Sequence, residues 1–252
     1  MNQQNHTANE TMSTAETLSA IFFEPARAFD SLRARPRFLA ATLIFIAVVT
    51  LYNMLLIQRI GYENLVRRNV EEAPRLSNMT PEAKEQIIEQ QMKPVFKYLS
   101  YASPAVVIVL FIAIGGALYL AGALAMGGKM NYWQALSVYV YSSLPPVILK
   151  TIADTVMLFL QAPEEIDITQ ARRGLARANL GFLVDATAHP VLATLLGVFD
   201  LFAFYGLYLA AVGLGRVARL SAAAAWGVVL VVWLLGVALR VLFALLAGTA
   251  MA

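Results

Sequence analysis

Five long stretches of this sequence are apolar and almost free of charge, and this feature limits the possible folds most strongly. A helix needs roughly 20 apolar residues to cross a hydrocarbon core about 30 Å thick, because each residue advances it by 1.5 Å. Hydrophobic residues make up 59% of the 252 positions and charged residues 14%, which is too apolar for a soluble domain. The sequence therefore predicts an all-α membrane protein with five transmembrane helices, at about residues 38–58, 104–126, 132–160, 190–214 and 221–246.

The polar stretches between these apolar segments divide the rest of the chain. Residues 1–12 are predicted to be a disordered tail, and residues 13–252 a single membrane domain. Residues 59–103 and 161–189 are two polar inserts, predicted to be helical and to lie outside the membrane. In the first insert, Thr80, Pro81 and Glu82 are typical of a helix start.

An amphipathic helix is predicted between the tail and the first span. Ser13 and Glu16 match a capping box, and apolar residues then recur at steps of three or four, with Pro25 as a possible kink or division. Phenylalanine beside arginine favours a helix in the membrane interface, where arginines meet anionic lipids; a short solvated helix is the alternative. The expected interfacial anchors are Phe22, Phe29, Arg33, Arg35 and Arg37.

Four ionisable residues fall inside the predicted spans, where a charge is costly. They are Lys150, Asp154, Asp200 and Arg240, and at 1.5 Å per residue they lie roughly 27–33 Å from one membrane face, in one layer. Lys150 and Asp154 are four residues apart and can pair, and an Asp200–Arg240 pair between neighbouring helices is feasible. Both a functional cavity and a structural polar layer near the outer surface agree with this depth.

The predicted third span contains Pro145-Pro146, which predicts a helix break beside this polar layer. A broken helix at membrane depth is tolerated where it lines a cavity or is buried in protein. Basic residues in the short connections (Lys129, Arg216 and Arg219) and before the first span place the N-terminus in the cytoplasm and both inserts outside. The ten basic residues of the inserts weigh against this orientation.

Catalytic, metal and nucleic-acid functions find no support in the sequence. Cysteine is absent and only two histidines occur, so the usual zinc and thiol sites are not expected. Neither a phosphate-binding glycine loop nor a serine elbow is present, and no Lys/Arg run typical of nucleic-acid binding occurs. We therefore expect a protein that is not an enzyme and has no cofactor.

Several blocks, in their order and spacing, resemble the Ypt-interacting protein (Yip) family in its prokaryotic branch, from about residue 14 to the end. The blocks are residues 21–29 (IFFEPARAF), 35–37 (RPR), 127–136 (GGKMNYWQAL), 141–145 (YSSLP), 200–202 (DLF), 213–215 (GLG) and 220–221 (LS). The resemblance implies five spans, a cytoplasmic N-terminus and a bacterial inner-membrane location. Eukaryotic members of the family contact small GTPases. The long polar insert after the first span departs from the compact form of those members, so the GTPase partner is not carried over to this chain.

Two functions remain open. The first is a membrane scaffold or adaptor that organises the membrane, with the lipid bilayer, other proteins or a second copy as partners. The second is a small transporter or lipid-translocating protein that uses the polar layer. Neutralising Asp154 or Asp200 is expected to abolish transport, whereas changing Phe22 and Phe29 to serine is expected to impair a scaffold more.

Overall fold

A computed structural model describes residues 12–71, 73–166, 171 and 174–248. All secondary-structure elements in this part of the chain are helices. The predicted tail lies outside the described residues, apart from Met12. The helices are α1 (Thr14–Phe23), α2 (Pro25–Ala34), α3 (Leu39–Ile60), α4 (Tyr62–Glu71), α5 (Pro81–Met92), α6 (Pro94–Ala125), α7 (Tyr132–Leu160), α8 (Pro190–Gly197), α9 (Leu201–Val217) and α10 (Ala222–Ala247). Short 3-10 turns cover Pro74–Leu76 and Leu180–Leu183.

Helices α3, α6, α7 and α10 are long and apolar enough to cross a membrane, so the chain is a multi-pass membrane protein whose apolar helices contact lipid. Helix α9 is apolar but has only 17 residues, about 25 Å of helix. The predicted continuous span over 190–214 is wrong, because Val198–Asp200 separates α8 from α9. Four full-length spanning helices are therefore described, and the predicted five are not confirmed.

The second span begins earlier than predicted. Pro104 resembles a first-turn proline, but it lies inside α6, and Pro94 occupies the first turn instead. A helix of 32 residues is about 48 Å long, which exceeds a hydrocarbon core by more than three turns. The last ten residues of the predicted first insert therefore belong to a spanning helix.

The predicted helix break at Pro145-Pro146 is also wrong, because α7 is continuous from Tyr132 to Leu160. Each proline removes one backbone N–H from the helix, but both prolines are buried. Gly206 of α9 faces Pro146, since a Cβ at Gly206 would lie 3.4 Å from Pro146 Cγ. The helix therefore continues past both prolines where it packs against α9.

Glycines bring α6 close to its neighbours. A Cβ on Gly115 would lie 2.1 Å from Tyr139 Cε2 of α7, and one on Gly122 would lie 2.5 Å from Val228 Cγ1 of α10. Both distances are shorter than real side chains allow. Small residues therefore set these helix contacts, as is usual in membranes.

The N-terminal helices α1 and α2 pack on α7 and α9 and are part of the membrane domain. The Ser13–Glu16 capping box is present, and the chain divides at Glu24. Phe29 is fully buried, and its ring would contact a Cβ placed on Gly213 of α9 at 2.9 Å. The prediction that Phe29 anchors the chain in lipid is therefore wrong. The apolar stripe that carries Phe29 faces other helices and not the lipid.

The arginines near this N-terminal face contact protein groups. Arg37 donates to the Met12 carbonyl at 2.7 Å, and Arg33 donates to the Arg216 carbonyl at 3.3 Å. Arg35 is exposed, as a lipid-facing anchor would require. Two of the three predicted anchoring arginines thus also fasten the N-terminal segment to the rest of the domain.

The polar inserts lie at the other end of the spanning helices, away from α1 and α2. Helices α4 and α5 pack together around Val66, Val70 and Ile88, which confirms a helical first insert. Arg67 joins them, since it contacts Glu63 and Glu85 at 2.9 Å each. The carboxylates of Glu85 and Glu63 raise the pKa of Arg67. In the described part of the second insert (residues 161–189), the regular secondary structure is the 3-10 turn Leu180–Leu183.

Candidate functional site

The Lys150–Asp154 pair of α7 holds the second insert against the membrane domain. Lys150 Nζ lies 3.3 Å from Asp154 Oδ2, and the backbone N–H of Ala176 donates to Asp154 Oδ1 at 2.7 Å. Asp154 is buried at 4% exposure. The carboxylate therefore binds both a cation on its own helix and the backbone of the insert.

Gly174 shows how closely the insert covers this pair. Its φ is +105°, and a Cβ would lie 2.0 Å from Lys150 Nζ and 3.3 Å from Asp154 Oδ1. Only glycine has both this backbone freedom and this small volume. Leu175 is fully buried next to it, among Ile60 and Leu158, so the segment is a fixed part of the fold.

The chain unwinds between α8 and α9, and the second insert supplies the hydrogen bonds needed there. The Asp200 side chain caps α9 by accepting from the Ala203 N–H at 3.0 Å. The Leu201 N–H donates to the Ala178 carbonyl at 3.1 Å, and Asn179 forms an isolated antiparallel bridge with Asp200. Backbone polar groups at membrane depth need such internal partners.

A cavity of about 460 Å³ lies beside this unwound segment, a volume within the range of ligand sites. Lys150, Asp200 and Arg240 line it, so it brings together three of the four residues of the predicted polar layer. Asp154 is buried behind Lys150. The other walls combine aromatic, small and aliphatic side chains, among them Tyr119, Tyr139, Ser142, Phe202, Val232 and Trp233.

Asp200 and Arg240 do not form the ion pair that their common depth suggested. Both face the cavity, but among the described residues Arg240 makes neither a hydrogen bond nor an ion pair with a side chain. Arg240 is exposed. The cavity thus presents a cation and an anion that do not neutralise each other directly.

The sequence did not indicate that the second insert folds back onto the spans. Its signals are short: Gly174 with a positive φ, and Asn179 and Gly181 around the 3-10 turn. Pro146 does line the cavity, so the proline pair marked the correct region although it does not break α7. The real discontinuity has one sequence signal, Asp200 as an N-cap residue before an apolar run.

The chain matches neither a curated protein nor a solved structure when compared with both groups. A family model, described as the Yip1 domain, matches residues 19–244. The match runs from the middle of α1 to near the end of α10, and so includes α2, the spanning helices between them and the α8–α9 discontinuity. The prokaryotic branch stays a prediction, but the resemblance to the Yip family is confirmed, and the chain belongs to the Yip1 domain family.

Proposed function

We propose that this chain is a non-enzymatic scaffold or adaptor of the Yip family, with five membrane crossings, in a bacterial inner membrane. Helices α8 and α9 together provide the fifth crossing, since both are apolar and only Val198–Asp200 separate them. Positive charges near the N-terminal face favour placing that face in the cytoplasm. Neither a metal nor an organic cofactor is part of the proposal.

The observation that carries this proposal is an exposed apolar face on the α6 extension. Val95, Tyr98 and Leu99 lie on one side of the helix and are 65%, 73% and 57% exposed. Counted back from Ala125, a 30 Å core ends about 20 residues earlier, so these side chains lie beyond the hydrocarbon. Apolar surface outside lipid is typical of a protein-binding site.

The extension is also held rigidly, which suits a surface that binds another protein. The Tyr62 hydroxyl donates to the Gln91 carbonyl at 2.9 Å, and Lys97 Nζ lies 5.9 Å from the centre of the Tyr62 ring. These contacts join α4, α5 and α6. A binding surface already fixed in position loses less entropy when a partner binds.

The N-terminal face supports contact with anionic lipids. Phe23 is 85% exposed, Trp133 is exposed and stacks on Phe38, and Arg27 and Arg35 are exposed on the same side. Aromatic rings beside arginines are typical of the bilayer interface. Phe23, rather than Phe29, is therefore the expected aromatic anchor of the N-terminal helices.

The scaffold proposal is tested with a photocrosslinking amino acid at Tyr98 in cells. We expect a defined protein adduct at Tyr98, and its loss in a chain that also carries Val95→Ser and Leu99→Ser. The matched control places the crosslinker at Leu235, which is exposed on α10 within the lipid-facing region. Equal adducts at both positions, or only lipid adducts at Tyr98, would contradict a protein-binding surface.

A small transporter or lipid-translocating protein is the second candidate, and the charged cavity beside the α8–α9 discontinuity favours it. Purified protein in liposomes is tested for solute flux and fluorescent-lipid scrambling, next to Asp200→Asn. Asparagine keeps the helix cap and removes the charge. Flux lost in this variant supports transport, whereas no flux from folded wild-type protein leaves the scaffold ahead.

A further inference from the structure

We infer that the cavity binds one zwitterionic phospholipid with a primary amine, its phosphate at Arg240 and its ammonium group at Asp200. The acyl chains would follow the apolar wall of α10. This inference goes beyond both proposed functions, since a bound lipid needs neither a partner protein nor a transport cycle. It depends on the charges of the cavity, on its depth and on the shape of its walls.

The charges favour a dipolar ligand. Arg240 and Asp200 both line the cavity without pairing to each other, and the Asp200 carboxylate has acceptor capacity beyond its bond to the Ala203 N–H. A charge close to the hydrocarbon boundary is favoured where a counter-charge meets it. A ligand with a phosphate and an ammonium group supplies both counter-charges at once.

A purely anionic lipid fits this cavity less well. Lys150, the second cation of the lining, already pairs with Asp154 at 3.3 Å. The Asp200 carboxylate would repel a headgroup that carries only negative charge. A headgroup whose amine carries three methyl groups has no N–H to donate to that carboxylate. The cavity is therefore expected to select a primary amine.

The depth of the charges identifies a bilayer lipid rather than a soluble zwitterion. Arg240 is the nineteenth residue of α10, about 27 Å from the start of the helix, which is close to the boundary of a 30 Å hydrocarbon core. Phospholipid headgroups lie at such a boundary. Trp233, Gly236 and Val237 continue the cavity toward the bilayer centre, where acyl chains lie.

Trp233 provides a direct reporter for this lipid. It lines the cavity and lies seven residues before Arg240, about 10 Å deeper, near the middle of an acyl chain. The chain has three tryptophans, so Trp133→Phe with Trp226→Phe leaves Trp233 as the only one. The protein is placed in phosphatidylcholine nanodiscs, and lipids brominated at mid-chain are added to quench its fluorescence.

We expect brominated phosphatidylethanolamine to quench Trp233 with an apparent affinity roughly fivefold higher than that of phosphatidylcholine or phosphatidylglycerol, about 1 kcal/mol. Arg240→Gln and Asp200→Asn should each remove this preference, and Arg240→Lys should keep most of it. Lys129→Gln, which removes an exposed cation from the other membrane face, is the matched control.

A further variant blocks the cavity and leaves both charges in place. Gly236 lines the cavity, and a Cβ there meets no atom within 4 Å, so we expect the ring of Gly236→Phe to occupy cavity space and the preference to disappear. Equal quenching by the three lipids, stronger quenching by phosphatidylglycerol, or a preference that survives Gly236→Phe would each overturn the inference. Gel filtration and circular dichroism of every variant identify any that misfold.

Discussion

Neutralising Asp154 tests whether the Lys150–Asp154 pair is structural or functional. Asp154→Asn keeps an oxygen that can accept from the Ala176 N–H but removes the charge facing Lys150. Breaking a fully buried pair costs about 3–5 kcal/mol, whereas an exposed pair contributes about 0.2–1 kcal/mol. Because the Lys150 side chain is 30% exposed, we expect the free energy of unfolding to fall by about 2 kcal/mol.

Asp154→Leu separates the charge from the hydrogen bond. This variant also leaves the Ala176 N–H without its acceptor, which costs a further 1–3 kcal/mol or so, for a total of about 4 kcal/mol. Both variants are measured by reversible SDS unfolding in lipid–detergent micelles. Glu165→Gln is the control, because Glu165 is an exposed carboxylate on the same insert, and its removal should change stability by less than about 0.5 kcal/mol.

The result that would refute this reasoning is an Asp154→Asn protein as stable as wild type. If such a protein also lost transport in liposomes, the Lys150–Asp154 pair would be functional, which is one of the two alternatives that the sequence left open. A destabilised variant whose second insert is detached would instead show that the pair is structural, so that any loss of transport in this variant results from altered folding. Protease accessibility of residues 174–189 distinguishes the two outcomes.

Three further outcomes follow from contacts at other positions. Phe29→Ser should destabilise the domain by about 3–4 kcal/mol because Phe29 is fully buried, whereas Phe23→Ser should leave unfolding unchanged and weaken vesicle binding of an α1–α2 peptide. Gly115→Val should lower stability by about 2 kcal/mol in SDS unfolding, because α7 leaves no room for a Cβ. Hydrogen bonds from the Ser13 backbone and side chain lower the pKa of Glu16 below 4.5; the capping box is therefore stabilised above that pH and weakens as pH falls through the lowered value. A spin label at Ala15 should become more mobile on acidification, but not in Glu16→Gln.

The sequence predicted the spanning helices well because lipid imposes one simple requirement on them. A long apolar stretch needs no particular partner to be recognised, and α3, α7 and α10 lie close to their predicted limits. The start of α6 was misplaced because Pro104 and Pro94 both suit a first turn. The sequence near each proline does not distinguish the two, whereas in the structure the start of α6 packs on Tyr62 of α4 through Lys97.

The apolar stripe of α1 and α2 shows a second limit of sequence reasoning. An amphipathic face has the same spacing whether it meets lipid or other helices. Phe29 enters the space left by Gly213, and the two residues are 184 positions apart in the sequence. The spacing of the apolar residues located this face correctly, but the spacing does not indicate whether lipid or another helix covers it.

The two discontinuities of the spans show why local rules failed at the candidate site. Pro145-Pro146 is the strongest helix-breaking signal in the sequence, but both prolines are buried, Pro146 next to Gly206 of α9, and the helix continues. Val198–Asp200 has no proline, but the helix ends there because the insert offers its own backbone: the Ala178 carbonyl accepts from Leu201. A break at membrane depth is stable where the freed groups find partners. Asp154 fixes the second insert, the insert stabilises the break between α8 and α9, and the break places Asp200 in the cavity. A variant that releases the insert should therefore also change the lipid preference of the cavity, as measured by quenching of Trp233.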